Sequence, residues 1–309
     1  MCILCATACG RGGFDRLEEV VTPVQPFDEC AYWSCNGGST CCVPTETLSL
    51  DFEPPTYSPG LINGVAGWSS LGAAGQGCAI YDHAVVANTW GYSGFGGQSL
   101  RVSNAVTSDC YSDATSSPGV VNEAGEASAI SVPPGVRQEY LEIEWQFASA
   151  VPSAEQAGLR VEMALDHGGS HMSLVQVVDN PGGLVVTFAE YVDAPPYGSV
   201  AAPADGCEPQ DLLSFVDIAS DLDRSLPHTV RVRFHAIDGP ANDVVMVSVD
   251  GTSRYLGTSW EDLFRWCEGL GPYAVDDLAL RTSNPARPLL SGYGLVIDNV
   301  MLRGGCACP

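Results

Sequence analysis

The chain has 309 residues, 45% of them apolar, with 34 Gly and 21 Pro, which is too apolar for a disordered protein and too rich in turn formers for a helical one. Its formal charge is −24, from 37 acidic residues against 13 basic ones, and every basic residue is Arg. Such a surface repels phosphate backbones and anionic headgroups, which argues against nucleic acid and membrane surfaces as partners.

The first segment, 1–46, is rich in Cys, Gly and Pro. It carries Cys2, Cys5, Cys9, Cys30, Cys35, Cys41 and Cys42, with one short helix expected over 16–21 behind Asp15. No second CxxC or His pair follows Cys2 and Cys5 at zinc-ribbon spacing, so disulfides fit this cluster better than a metal or free thiols. Strand signals begin at Leu48. They recur at 48–53, 79–87, 98–103, 139–147, 158–165, 172–179, 183–190, 213–218, 228–236, 243–250, 274–282 and 293–302, separated by Gly, Pro, Asn and Asp.

The clearest hairpin is 227–251. Val230, Val232 and Phe234 share one face, a turn follows at Asp238-Gly239-Pro240, and the second strand ends at Asp250-Gly251. Ser259 to Asp262 reads as a capping-box start for one short helix, with Gly269 as its stop. The expectation is an all-β, two-sheet antiparallel jelly-roll sandwich over 47–309. It would have one short helix, a short Cys-containing tail, and a Cys-rich, disulfide-stapled N-terminal extension over 1–46. No apolar run approaches the roughly 18 residues of a membrane span.

Thirteen Cys point to an oxidising compartment, hence an extracellular or cell-surface location. An odd number leaves at least one thiol unpaired or joined to another chain.

Three constellations could carry chemistry. Trp90, Tyr92 and Phe95 sit in a Gly-rich loop. With Tyr191, Tyr197 and Trp260, they are the rings available to stack on the C–H face of a sugar, although such rings more often close the ends of a core. Asp166, His167 and His171 place three metal-ligand types in six residues, in a loop where solvated polar residues are also common. Glu142, Glu144 and Gln146 share one face of a strand. No phosphate-binding loop, nucleophile elbow or dinucleotide fingerprint is present, so no organic cofactor is expected.

The runs DLDRSLPHTVRVRF, DGPANDVVMVSVDG, GTSWEDLFR, RTSNPARPLLSGYGLVIDNV and WGYSGFGGQSLRVSNAVTS resemble uncharacterised modules of secreted bacterial surface proteins. Those modules look like the concanavalin A-like class of sandwiches, which includes legume lectins, glucanases and laminin-G domains. The resemblance spans about 48–303 and leaves the Cys-rich first segment outside it.

Glucanases of this class resemble one another in a Glu-x-Asp-x-Glu strand, in which two carboxyl groups flank the scissile bond. Here the last position is Gln146, which cannot deliver a proton, so the resemblance implies a non-catalytic chain. Carbohydrate-binding sandwiches resemble one another in a structural calcium held between an N-terminal Phe-Glu strand and a C-terminal Ile-Asp-Asn strand. Glu53 and Asp298 would hold it here, with Asp51 and Asn299 nearby. Cys78, Cys110, Cys207 and Cys267 look like additions to the module pattern, and Cys78–Cys110 and Cys207–Cys267 are the pairings expected. The leading expectation is an extracellular recognition module that binds a glycan. A disulfide-linked structural or self-assembling subunit, whose partner would be copies of itself, is the rival, and a polysaccharide hydrolase the lesser alternative.

Overall fold

The computed structural model describes residues 43–70, 81–107, 114–130, 137–191, 213–267, 270–282 and 285–305. Sixteen strands are present: β1 Glu46–Leu50, β2 Gly60–Leu61, β3 Ser69–Ser70, β4 Asp82–Ala87, β5 Gln98–Ser103, β6 Ala114–Ser116, β7 Tyr140–Ser149, β8 Arg160–Asp166, β9 Ser173–Asn180, β10 Gly183–Tyr191, β11 Leu213–Leu222, β12 His228–His235, β13 Val244–Val249, β14 Ser253–Gly257, β15 Asp277–Thr282 and β16 Leu295–Gly304. They form two antiparallel sheets. One runs β14-β13-β12-β7-β16-β5-β4-β2, with β1 also on β16, and the other runs β11-β10-β9-β8-β15-β6-β3. The expected two-sheet sandwich is therefore the observed architecture.

Period-2 alternation explains the register. On β12, Val230, Val232 and Phe234 face Trp145, Ile143 and Leu141 of β7, and all six are buried at the interface between the sheets. Their alternates pair on the outer face as Thr229 with Gln146, Arg231 with Glu144, and Arg233 with Glu142. Trp68, Trp145, Phe52, Phe147, Phe188 and Phe234 are fully buried and anchor the core. Each such side chain stabilises the fold by roughly 1.5–3 kcal/mol relative to exposure. A hydrogen bond of 2.6 Å between His83 Nδ1 on β4 and Thr115 Oγ1 on β6 ties one sheet to the other.

β16 organises the nine-stranded sheet. One edge pairs with β7 throughout. The other pairs with β5 over Leu295 to Ile297 and with β1 over Val300 to Gly304. The change of partner falls at a bulge between Asp298 and Met301, where Asn299 takes a left-handed φ of 51°. Asn tolerates that conformation better than most residues, which explains its use where the strand must re-aim.

The β13–β14 turn is also left-handed, at Asp250 (51°) and Gly251 (66°), and is closed by a bond from Thr252 N to Val249 O. This is the primed turn that the Asp-Gly pair foretells. The expected helix after Ser259 is observed: residues 261–267 are helical, and Leu263–Cys267 form a single wide turn. The Ser259 hydroxyl does cap the Glu261 amide at 3.2 Å, but the Glu261 carboxylate accepts the Asn242 and Asp243 amides instead of serving the helix. No described helix is long and apolar enough to cross a membrane.

Candidate functional site

The outer face of β7 carries Glu142, Glu144 and Gln146 in a row, as their spacing predicts. Arg233 on β12 and Arg303 on β16 flank Glu142 in the pairing register. Arg233 Nε donates to Glu142 Oε2 at 2.5 Å and Arg303 Nη1 to Oε1, while Tyr140 Oη lies 3.2 Å from Oε2. Burial pushes the Glu142 carboxyl up. The bond and charge of Arg233, with Arg231 and Arg303 beside it, outweigh burial and hold the group below the ordinary glutamate value.

Glu144 accepts Arg231 Nε at 2.6 Å. Gln146 Oε1 accepts Asn299 Nδ2 at 2.8 Å. A general acid needs a raised pKa and a proton to give. In this row the first carboxylate is held ionised by guanidinium partners, the second is ion-paired, and the third group is an amide.

The Gly-rich loop over 88–97 folds onto the same face. Asn88 N bonds Gly97 O at 2.9 Å and Phe95 N bonds Tyr92 O at 3.3 Å. Its rings form a satellite apolar cluster with Ala148, Ala150 and Val296, outside the main core. Trp90 Nε1 donates to Ala150 O at 2.8 Å, and Tyr92 Oη donates to Ser149 O at 2.6 Å.

Tyr92 is 7% exposed and packs edge-on against Phe95, with centroids 5.7 Å apart, whereas Trp90 and Phe95 are half-buried. Trp260 lies in the main core at 6% exposure, with its indole N–H bonded to Ala189 O. Tyr92 and Trp260 therefore carry the fold and offer no open ring face to a sugar. Tyr197 lies outside the described residues, as do Cys78, Cys110, Cys207 and the whole 1–42 cluster. Tyr191 is the last described residue of β10. Cys267 is disulfide-bonded.

Glu53 and Asp298 approach one another around this loop. Glu53 Oε1 accepts the Gln98 amide at 2.8 Å. Asp298 accepts Gly96 N at 3.1 Å, Ser99 Oγ at 3.2 Å and Asn299 N at 2.8 Å. Burial, then the nearby charge of Glu53, push the Asp298 carboxyl up to about 6 against the pull of those hydrogen bonds. A Cβ on Gly96 would lie 2.0 Å from Glu53 Oε1, which explains a glycine at this close approach. Glu53 Oε2 takes no hydrogen bond among the described residues. Two converging carboxylates among backbone groups are the hard oxygen donors that calcium selects.

Asp166, His167 and His171 do not converge. His171 Nδ1 lies 2.6 Å from Asp166 Oδ1, and His167 Nδ1 lies 2.8 Å from Asp276 Oδ1, so each imidazole is held by its own carboxylate.

A different acidic group does assemble. Glu126, Asp243 and Glu261 bring carboxylate oxygens within 4.8 Å of one another, all buried. Arg265 bridges Glu126 and Glu261, and Ser259 Oγ donates to Asp243 at 2.7 Å. Burial pushes Asp243 and Glu261 up, and neighbouring carboxylates raise each further. No sequence spacing announces this triad, because its members come from three separate connections between strands. A cavity of about 510 Å³ opens beside it, lined by Gly125, Arg137, Glu139, His235 and Asp238 among others, with no Trp, Tyr or Phe in its wall.

No protein-family profile and no curated protein matches the chain. Among solved structures, it is similar to a carbohydrate esterase of the Shiga toxin-encoding bacteriophage phi24B (15% identity, 77% of this chain and 90% of that one, TM-score 0.38). An alginate lyase of Pseudomonas aeruginosa matches at 10% identity over 66% and 82% of the two chains (TM-score 0.35), and peanut lectin at 13% over 86% and 100% (TM-score 0.32). Sandwiches of this architecture host unrelated activities, so the chemistry must be read from the residues of the site.

Proposed function

We propose that the chain is an extracellular, non-catalytic module that recognises a glycan on the outer face of β7 and β16. The observation that carries this reading is a continuous strip on that face. Half-buried Trp90 and Phe95 are held by a hydrogen-bonded Gly-rich loop, the Gln146–Asn299 amide pair follows, and ion-paired side chains lie beyond. A ring face beside fixed amides is the combination that takes the apolar face and the hydroxyls of a pyranose. The ion pairing of Glu142 supports binding without turnover, and the disulfide at Cys267 supports an oxidising location. A calcium ion between Glu53 and Asp298 would fix the loop that presents the rings.

The test is calorimetric titration with a panel of oligosaccharides. Phe95→Ala should weaken binding by about tenfold, the 1.4 kcal/mol scale of one lost stacking contact, with little change in melting temperature. Unchanged affinity in Phe95→Ala would remove the strip as the site.

A second reading, a subunit that joins copies of itself, has one observation in its favour. Thirteen Cys cannot all pair within one chain.

A further inference from the structure

The outer strip has a second property that bears on what it would bind, given the glycan reading above. Going along β7 from Glu142 to Gln146, the outward positions cover about 13 Å at the usual rise per residue, room for about two sugar rings before the Trp90 and Phe95 cluster. At the end remote from Trp90 and Phe95, three Arg meet two Glu: Arg231, Arg233 and Arg303 against Glu142 and Glu144. This cluster of guanidinia sits in a chain whose acidic residues outnumber its basic ones 37 to 13. At physiological salt the Debye length is about 8 Å, so the local set governs what a bound ligand feels there.

The donors are incompletely used. A guanidinium has five N–H groups in a planar fork that matches carboxylates and other oxyanions. Arg231, its side chain 38% exposed, directs Nε and Nη2 to Glu144. Among the described residues its Nη1 bonds no protein group. Arg303, 23% exposed, directs Nη1 to Glu142, and its Nη2 stays 3.8 Å from Glu144 Oε1, beyond hydrogen-bonding distance. Glu144 lies between them, so both guanidinia are drawn in over β7 from opposite sides and held there. Their unused N–H groups are fixed in place before any ligand arrives.

We propose that Arg231 and Arg303 form an anion subsite of the glycan strip, so that the preferred ligand is an acidic oligosaccharide carrying a carboxylate, or a sulfate, about two sugar rings from the one stacked at Phe95. Glu144 is a positioning residue that also competes with the ligand for the same donors.

Titration of the intact chain with four probes tests this: an oligogalacturonate, the same oligomer fully methyl-esterified, a sulfated galactan oligosaccharide and a neutral β-glucan oligosaccharide. The free acid or the sulfated oligomer should bind at least about tenfold tighter than the ester and the neutral oligomer, the effect of one charge-assisted contact. Whichever of the two anions binds tighter identifies the natural substituent. Arg231→Gln or Arg303→Gln should collapse that preference, bringing the affinity for the acid down towards that for the ester. Glu144→Gln should enlarge it, a change that misfolding could not produce. Equal affinity for acid and ester, or a preference that survives both Arg substitutions, would overturn the anion subsite and leave the glycan reading standing. No binding of any of the four would overturn both.

Discussion

Glu142 shows how neighbours decide what a carboxylate can do. The resemblance to glucanases places it where such a hydrolase would keep a catalytic acid or nucleophile. Arg233 and Arg303 occupy its oxygens, and their charge outweighs burial in setting its proton affinity. Restoring the glucanase-like pattern with Gln146→Glu and Glu144→Asp should therefore leave the chain inactive on laminarin and lichenan, because the remaining carboxylate stays bound to guanidinium. Turnover above a buffer blank, in the wild type or in that double variant, would contradict this account of the strand.

The outward position of Glu142, Glu144 and Gln146 was readable from period 2. Their Arg partners were not, because those depend on which strands flank β7 and in what register. Tyr92 and Trp260 were misleading for a related reason: a sequence shows a ring in a Gly-rich or helical stretch but not the carbonyl that receives its O–H or N–H.

At the level of elements, all twelve expected strands are present. The additions, β2, β3, β6 and β14, run from two to five residues, too short to display alternation. The short helix was foreseen in place but not in form: it ends in one wide turn over Leu263–Cys267, and the Glu261 carboxylate accepts the Asn242 and Asp243 amides rather than serving the helix.

The loop over 88–97 links β4 to β5; Asp298 of β16 holds its Gly96 amide, and Glu53, just after β1, holds the Gln98 amide where β5 begins. If calcium sits between those two carboxylates, removing it should loosen three elements together. Chelation should then lower the melting temperature, and calcium at a hundred times its Kd should contribute about 2.7 kcal/mol. Glu53→Gln should abolish the response. Identical melting curves in EDTA and in millimolar calcium would exclude an ion there. The pairing of Glu53 with Asp298 was legible only through a resemblance, because 245 positions separate them and nothing in either local sequence points to the other.

For the molecule as a whole, the glycan module and the self-joining subunit differ in whether the protein works as one chain or as several. Non-reducing electrophoresis of the purified protein bears on this directly. If the odd cysteine joins chains, a band at twice the reduced mass or higher should appear and collapse on reduction. A single monomer band with one titratable thiol per chain would favour the monomeric glycan module.

The position of β16 has a consequence for how the molecule is made. This strand is near the C-terminal end of the sequence, yet it lies inside the nine-stranded sheet, between β7 on one side and β5 and β1 on the other. Until it leaves the ribosome, those three strands lack their common neighbour, and the pairings it completes span most of the chain, the kind of long-range closure that makes β proteins slow to fold. Arg303, Asp298 and Asn299 all travel on it. The outer face proposed to bind a ligand therefore forms only once β16 has paired, and a chain lacking that strand would expose bare edges on β7, β5 and β1.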